Sequence, residues 1–137
     1  MQALEAAGLV LEARSRLWPT APLGPGGRRF ANAVVAVRGE ADPVRLLRLI
    51  KRIESDFGRR RGQRWGDRVL DLDIIGIGPL VLRRKGLQVP HPRMAERRFV
   101  LDPLVEVAPG WRHPLLGVTA RQLRARAMRP MARAHIA

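Results

Sequence analysis

Two carboxylates stand inside an otherwise apolar run, Val69-Leu70-Asp71-Leu72-Asp73-Ile74-Ile75, and few architectures can hold such a segment. Its β-branched content predicts a strand over Val69–Ile77, closed by a turn at Gly78-Pro79. Alternate residues of a strand share a face, so Asp71 and Asp73 project together while Leu70, Leu72 and Ile74 project to the other side. The apolar side needs cover and the acidic side needs water or a cation. Neighbouring carboxylates repel and resist burial, and hard oxygen donors at this spacing suit Mg²⁺, which takes its remaining ligands from water and phosphates. The alternative at this spacing is an edge strand with a solvated polar face.

The flanking pattern fills in the sheet and its cover. Met1–Ala7 has helical composition without an N-cap, and Val10–Trp18 alternates loosely as a strand. Residues 19–27 carry enough Pro and Gly to be a loop, after which Phe30–Val37 resumes a strand. Asp42-Pro43 is a helix start, and Val44, Leu46, Leu47, Ile50, Ile53 and Phe57 form an apolar stripe expected to end at Gly58. Gly58–Asp67 reads as a basic loop, Leu80–Leu82 and Leu87–Val89 as short strands around a turn at Arg83–Gly86. Arg93–Val107 reads as helix in two pieces around Pro103, and Thr119 as the cap of a helix running to about Ala127, with 128–137 a flexible tail. Strand, strand, helix, strand with appended helices argues an α+β sandwich whose mainly antiparallel sheet is covered by helices. The length of 137 residues favours a single domain.

Composition narrows the chemistry. Twenty-six Lys and Arg against 12 Asp and Glu give a formal charge of +14, almost wholly arginine, and guanidinium groups favour phosphate and carboxylate partners. With no Cys there is no disulfide scaffold, thiolate metal site or Cys nucleophile. No apolar run is long enough to span a bilayer and no secretory signal is recognisable, so the chain is expected to be cytoplasmic. The segment Gly58-Arg59-Arg60-Arg61-Gly62-Gln63-Arg64-Trp65-Gly66-Asp67-Arg68 crowds guanidinium groups beside the carboxylate pair, which makes sense if a polyphosphate arrives between them and a metal. As a plain charge run it would be solvated or would face nucleic acid. Glu54 at the edge of the helix stripe either pairs with a nearby Arg or faces the site. His91, between Pro90 and Pro92, can serve as a proton or hydrogen-bond donor or as a structural residue. Phe30 and Phe99 can sandwich a planar ring or simply pack in the core.

Taken in order, Thr20-Ala21-Pro22-Leu23-Gly24, Phe30-Ala31-Asn32-Ala33, Arg52-Ile53-Glu54, Arg64-Trp65-Gly66-Asp67-Arg68-Val69-Leu70-Asp71-Leu72-Asp73-Ile74, Val89-Pro90-His91-Pro92 and Arg97-Arg98-Phe99-Val100-Leu101-Asp102-Pro103-Leu104 resemble one family. It is 6-hydroxymethyl-7,8-dihydropterin pyrophosphokinase of folate biosynthesis. The resemblance implies a ferredoxin-like α+β sandwich. It also implies transfer of the β,γ-pyrophosphoryl group of ATP to the pterin hydroxymethyl, with release of AMP and two Mg²⁺ ions held by Asp71 and Asp73. By the same resemblance Arg59 and Arg68 join the two aspartates as catalytic residues. Glu54, Arg61, Trp65, Ile74, His91 and Arg97 fall on the ATP side. Main-chain groups at Thr20 and Leu23, the amide of Asn32 and the rings of Phe30 and Phe99 fall on the pterin.

The chain departs from the family in places. The family opens with a central strand and a Gly-Ser-Asn turn before its first helix, and Met1 falls inside that helix, so the first strand is expected to be missing and the domain N-terminally truncated. Pro92 stands where an aromatic residue usually follows the His, Lys51 replaces a common Gln, and the basic loop is one residue short. The partners expected are ATP and the pterin, with no membrane and the protein a monomer. Two other readings stay open, an inactive truncated pseudoenzyme and a basic nucleic-acid-binding module. The dispersed arginines and the acidic pair speak against the second.

Overall fold

The computed structural model of the chain describes residues 2–6, 8–20, 30–39, 42–60 and 71–129. They form helices α1 (Gln2–Ala6), α2 (Pro43–Arg60), α3 (Arg98–Val107) and α4 (Ala120–Met128). The strands are β1 (Val10–Arg14), β2 (Trp18–Thr20), β3 (Phe30–Asn32), β4 (Val35–Arg38), β5 (Leu82–Arg84) and β6 (Leu87–Val89). Short strand pairs with helices make an α+β fold, as the sequence indicated and consistent with a ferredoxin-like class. The described strands pair as β1 with β4, β2 with β3 and β5 with β6. Two compact units result, Met1–Ala13 with Ala36–Pro92, and Arg14–Val35 with Arg93–Ala137.

In the first unit α2 follows its sequence pattern at the N-terminus. Asp42 Oδ1 accepts the N–H groups of Val44 at 2.9 Å and Arg45 at 3.4 Å, satisfying donors that the first turn leaves orphaned, while Pro43 has no N–H to satisfy. Ile50 is buried at the middle of the stripe, and Leu4, Leu9, Leu87 and Val89 complete the apolar core of this unit. The helix does not stop at Gly58. It runs to Arg60 with Gly58 buried inside it, and the arginines that follow are good helix formers. The β5–β6 hairpin pairs Leu82 with Val89 and Arg84 with Leu87. Its two-residue turn ends at Gly86, whose φ of 81° suits glycine.

The run 71–77 departs from the predicted strand, since no described residue of it joins a ladder. The alternation survives without the ladder: Asp71 and Asp73 are exposed, Leu72 and Ile74 half-buried. Among the described residues, a side chain accepts the Leu72 N–H, the Ile75 carbonyl accepts the His91 N–H and the Ile77 carbonyl accepts the Leu80 N–H, none of these partners lying in a strand.

The second unit has β2 and β3 antiparallel, with Trp18 opposite Asn32, Pro19 opposite Ala31 and Thr20 opposite Phe30. The predicted continuous strands Val10–Trp18 and Phe30–Val37 are each broken in two. The cause lies at buried Ser15, whose N–H donates to the Val34 carbonyl at 2.9 Å while its Oγ accepts the Val34 N–H at 3.0 Å. A side chain thus takes the place of one ladder bond. Helix α3 packs on α4, on β2 and β3 and on a short 3-10 helix, Met94–Glu96. Met94, Leu101, Pro103, Leu104, Ala120 and Leu123 form this core. Pro103 does not divide α3 as expected; the break falls at Arg97, and the proline ring is fully buried in the helix interior. Its packing offsets the bond its nitrogen cannot donate. Helix α4 extends one residue beyond expectation to Met128, the first residue of the predicted tail, and 130–137 lie outside the described residues.

Candidate active site

The acidic end of the first unit is organised by Glu54. One carboxylate oxygen accepts the N–H of Leu72, the residue between the two aspartates, and the other lies 3.3 Å from the Lys51 ammonium. An amide without a ladder partner would otherwise need water, and the helix supplies a charged acceptor in its place. The consequence is mechanical. The backbone is pinned at the midpoint of the pair, with both Asp71 and Asp73 carboxylates exposed on either side. A second tie lies four residues from Asp71, where the His91 N–H donates to the Ile75 carbonyl at 2.8 Å. Half-buried His91 and Ile74 are therefore gathered onto the same segment as the aspartates.

This donor set fits a divalent cation of the Mg²⁺ kind. Two exposed carboxylates supply hard oxygens and leave the remaining positions to water or phosphate. Among the described residues no group of three His, Asp or Glu side chains forms a closed cage. Arg59 belongs to the last turn of α2 and not to the basic loop in which the sequence placed it. Arg61, Trp65 and Arg68 lie outside the described residues, as does Leu23.

The second unit holds the residues of the other group. Thr20 and Phe30 face each other across the β2–β3 ladder, so the Thr20 main chain is fixed by pairing, and half-buried Asn32 lies opposite Trp18. Phe99 is the second residue of α3 and is 42% exposed, an unusual position for a ring in a chain with few aromatics. The Arg97 guanidinium lies 5.6 Å from its ring centroid, close enough for a cation–π contact. The helix bearing Phe99 packs directly on the strand pair bearing Thr20, Phe30 and Asn32.

Two features here escaped the sequence. Trp18, Arg16 and Glu106 form a bonded cluster at the start of β2, with the Trp18 indole N–H 2.8 Å from Glu106 Oε1. An acid four residues after Asp102 on an otherwise apolar helix was the available signal. His113 is buried, and its Nδ1 accepts the N–H groups of Leu115 at 3.2 Å and Leu116 at 3.1 Å. Burial pushes its pKa below the usual 6.5, so the imidazole is neutral with its proton on Nε2.

Comparison with known proteins returns the same family as the motifs. The family model for 7,8-dihydro-6-hydroxymethylpterin-pyrophosphokinase matches residues 1–109. A 2-amino-4-hydroxy-6-hydroxymethyldihydropteridine pyrophosphokinase of Synechocystis is 41% identical over 117 residues, 85% of this chain and 60% of the relative. The protein of that name from Pseudomonas aeruginosa is 45% identical over 105 residues, 76% of this chain and 65% of the relative. A mitochondrial folate synthesis bifunctional protein of Arabidopsis thaliana is 39% identical over 108 residues, 78% of this chain and 20% of the relative. The matches thus span less than two thirds of the length of these relatives. Among the described residues no helix is long and apolar enough to cross a membrane.

Proposed function

The chain belongs to the 7,8-dihydro-6-hydroxymethylpterin-pyrophosphokinase family, and from that premise we propose that it transfers pyrophosphate from ATP to the hydroxymethyl group of 6-hydroxymethyl-7,8-dihydropterin, in folate biosynthesis. The pterin hydroxyl oxygen bonds to the β-phosphorus, the bond from that phosphorus to the α,β-bridging oxygen breaks, AMP leaves with the bridging oxygen, and the hydroxyl proton passes to solvent or a nearby base. The chain belongs to a single pterin pyrophosphokinase domain, with about 128–137 as a tail, and acts as a monomer in the cytoplasm. The observation that carries this reading is the pinned acidic pair: Leu72 is tied to Glu54 while Asp71 and Asp73 stay exposed on either side of it.

Asp71 and Asp73 would hold Mg²⁺, which when bound neutralises triphosphate charge and polarises the phosphoryl oxygens. Glu54 and Ile74 shape the floor of the nucleotide site, where His91 donates to a phosphate or ribose oxygen. Arg97, with Arg59, Arg61 and Arg68, offsets phosphate charge, and Trp65 helps exclude water. Asn32 presents an amide to the pterin edge, main-chain groups of Thr20 and Leu23 bond it further, and Phe30 and Phe99 stack on its faces.

The test is AMP formation from ATP, Mg²⁺ and the pterin, with Asp71→Asn and Asp73→Asn beside the wild type. AMP release that depends on pterin and falls by about 100-fold or more in both variants is the expected result. Pterin-independent AMP release, or full activity in either variant, would overturn the assignment.

A further inference from the structure

The geometry points to Glu106 as a positioning residue for the pterin, acting through Trp18 on Asn32; this rests on the pterin reading above. Glu106 lies on α3 seven residues after Phe99, two helical turns, so the two share one stripe of the helix at a separation of about 10 Å. Its Oε1 accepts the Trp18 indole N–H at 2.8 Å and lies 3.1 Å from Arg16 Nε, while Oε2 accepts the Arg16 backbone N–H at 3.0 Å. The Arg16 guanidinium in turn covers the Trp18 ring at 4.2 Å. Arg16 and Trp18 thus meet Glu106 together, whereas Leu17 between them is 69% exposed, as the two-residue period requires.

This cluster is more than a surface ion pair because of what stands across the ladder. Trp18 is the direct partner of Asn32 in the β2–β3 register. Helix α3 therefore carries an aromatic wall of the pterin pocket at its first turn and, at its last, a clamp on β2, the strand paired with the one that bears the amide. A flat heterocycle stacked on Phe99 and hydrogen-bonded by Asn32 is read correctly only if those two groups keep a fixed separation, and an error of about 1 Å is costly to such recognition. Backbone and indole donors held by one carboxylate set that separation with charge-assisted bonds.

The test is steady-state kinetics of the full chain with Glu106→Ala, Glu106→Gln and Trp18→Phe, pterin and ATP being varied in turn, and with thermal unfolding to check folding. Glu106→Ala should raise the KM for pterin by about tenfold, leaving kcat and the KM for ATP within about twofold. Glu106→Gln keeps an amide oxygen that accepts one donor, and Trp18→Phe removes the indole N–H together with part of the ring while keeping an aromatic side chain; each should raise the pterin KM by about threefold. These two milder variants decide the matter if Glu106→Ala fails to fold. Unchanged pterin KM, or equal rises in both KM values, overturns the positioning role while wild-type turnover leaves the pyrophosphokinase reading intact. A wild type that forms no pterin-dependent AMP removes that reading and the positioning role with it.

Discussion

At Glu54 both carboxylate oxygens are engaged, one by the Leu72 N–H and one by the Lys51 ammonium. Sequence spacing already set Glu54 beside the helix stripe, yet the spacing of Asp71 and Asp73 said nothing of what would restrain the backbone between them. Glu54→Ala leaves a half-buried amide without its acceptor, a loss of about 1–3 kcal/mol in unfolding free energy. Freeing the segment should also raise the Mg²⁺ concentration for half-maximal AMP formation by several-fold. Glu54→Gln retains an oxygen for Leu72 and gives up the ion pair alone. It should recover most of the stability, since a half-exposed ion pair contributes about 1 kcal/mol or less. Titrating Mg²⁺ against rate for the two variants measures this; equal Mg²⁺ dependence in Glu54→Ala and the wild type would mean that the tie does not matter to the acidic pair.

Whole elements were legible wherever a local rule had no competitor. Thr119 caps α4 with Gln122 answering it: the Thr119 side chain accepts the Gln122 N–H at 3.2 Å and the Gln122 side chain accepts the Thr119 N–H at 2.8 Å. Thr119→Ala should cost about 1 kcal/mol in chemical denaturation, and Thr119→Ser much less. An unchanged midpoint in the alanine variant would show that the capping box does not support α4. The Asp42 cap, the strand Leu87–Val89 and the exposed placement of Asp71 and Asp73 were equally readable, each being a matter of neighbours in sequence, whereas the first strand of the hairpin falls at Leu82–Arg84 instead of the expected Leu80–Leu82, with a tighter turn than Arg83–Gly86. What failed involved distant partners. Gly58 and Pro103 looked like breaks because their local preferences oppose helix, but both are buried and packing outweighs about 1 kcal/mol at a glycine and about 3 at a proline. The run 71–77 has a strand's alternation, and strand pairing depends on neighbours that the run itself does not encode. Phe99, Asn32 and Thr20 were singled out as candidates through motif resemblance, whereas Glu106 belonged to no motif and came to light only through its bonds to β2.

On the scale of the molecule, a formal charge of +14 made almost wholly of arginine hardly changes between pH 5 and 8, so acid sensitivity in that range turns on particular buried groups. One such group is His113, which is built to stay neutral. Protonation would turn Nδ1 from an acceptor for the Leu115 and Leu116 N–H groups into a donor facing them, and would place a charge in a buried site. Its folded pKa therefore lies below 6.5, while the unfolded chain titrates near 6.5. Between those two values the unfolded state binds the extra proton, so unfolding free energy rises with pH. The contribution is complete above pH 6.5 and is lost progressively as the pH falls below it toward the folded pKa. Urea midpoints should thus be flat from pH 8 to 7 and decline below 6.5. Asn at this position offers an oxygen near the place of Nδ1 and does not titrate; His113→Asn should be less stable at pH 8, through lost packing against Trp111, but with a shallower decline toward pH 5.5. A variant that keeps the full wild-type slope would shift the acid sensitivity to another group and leave His113 a packing residue only.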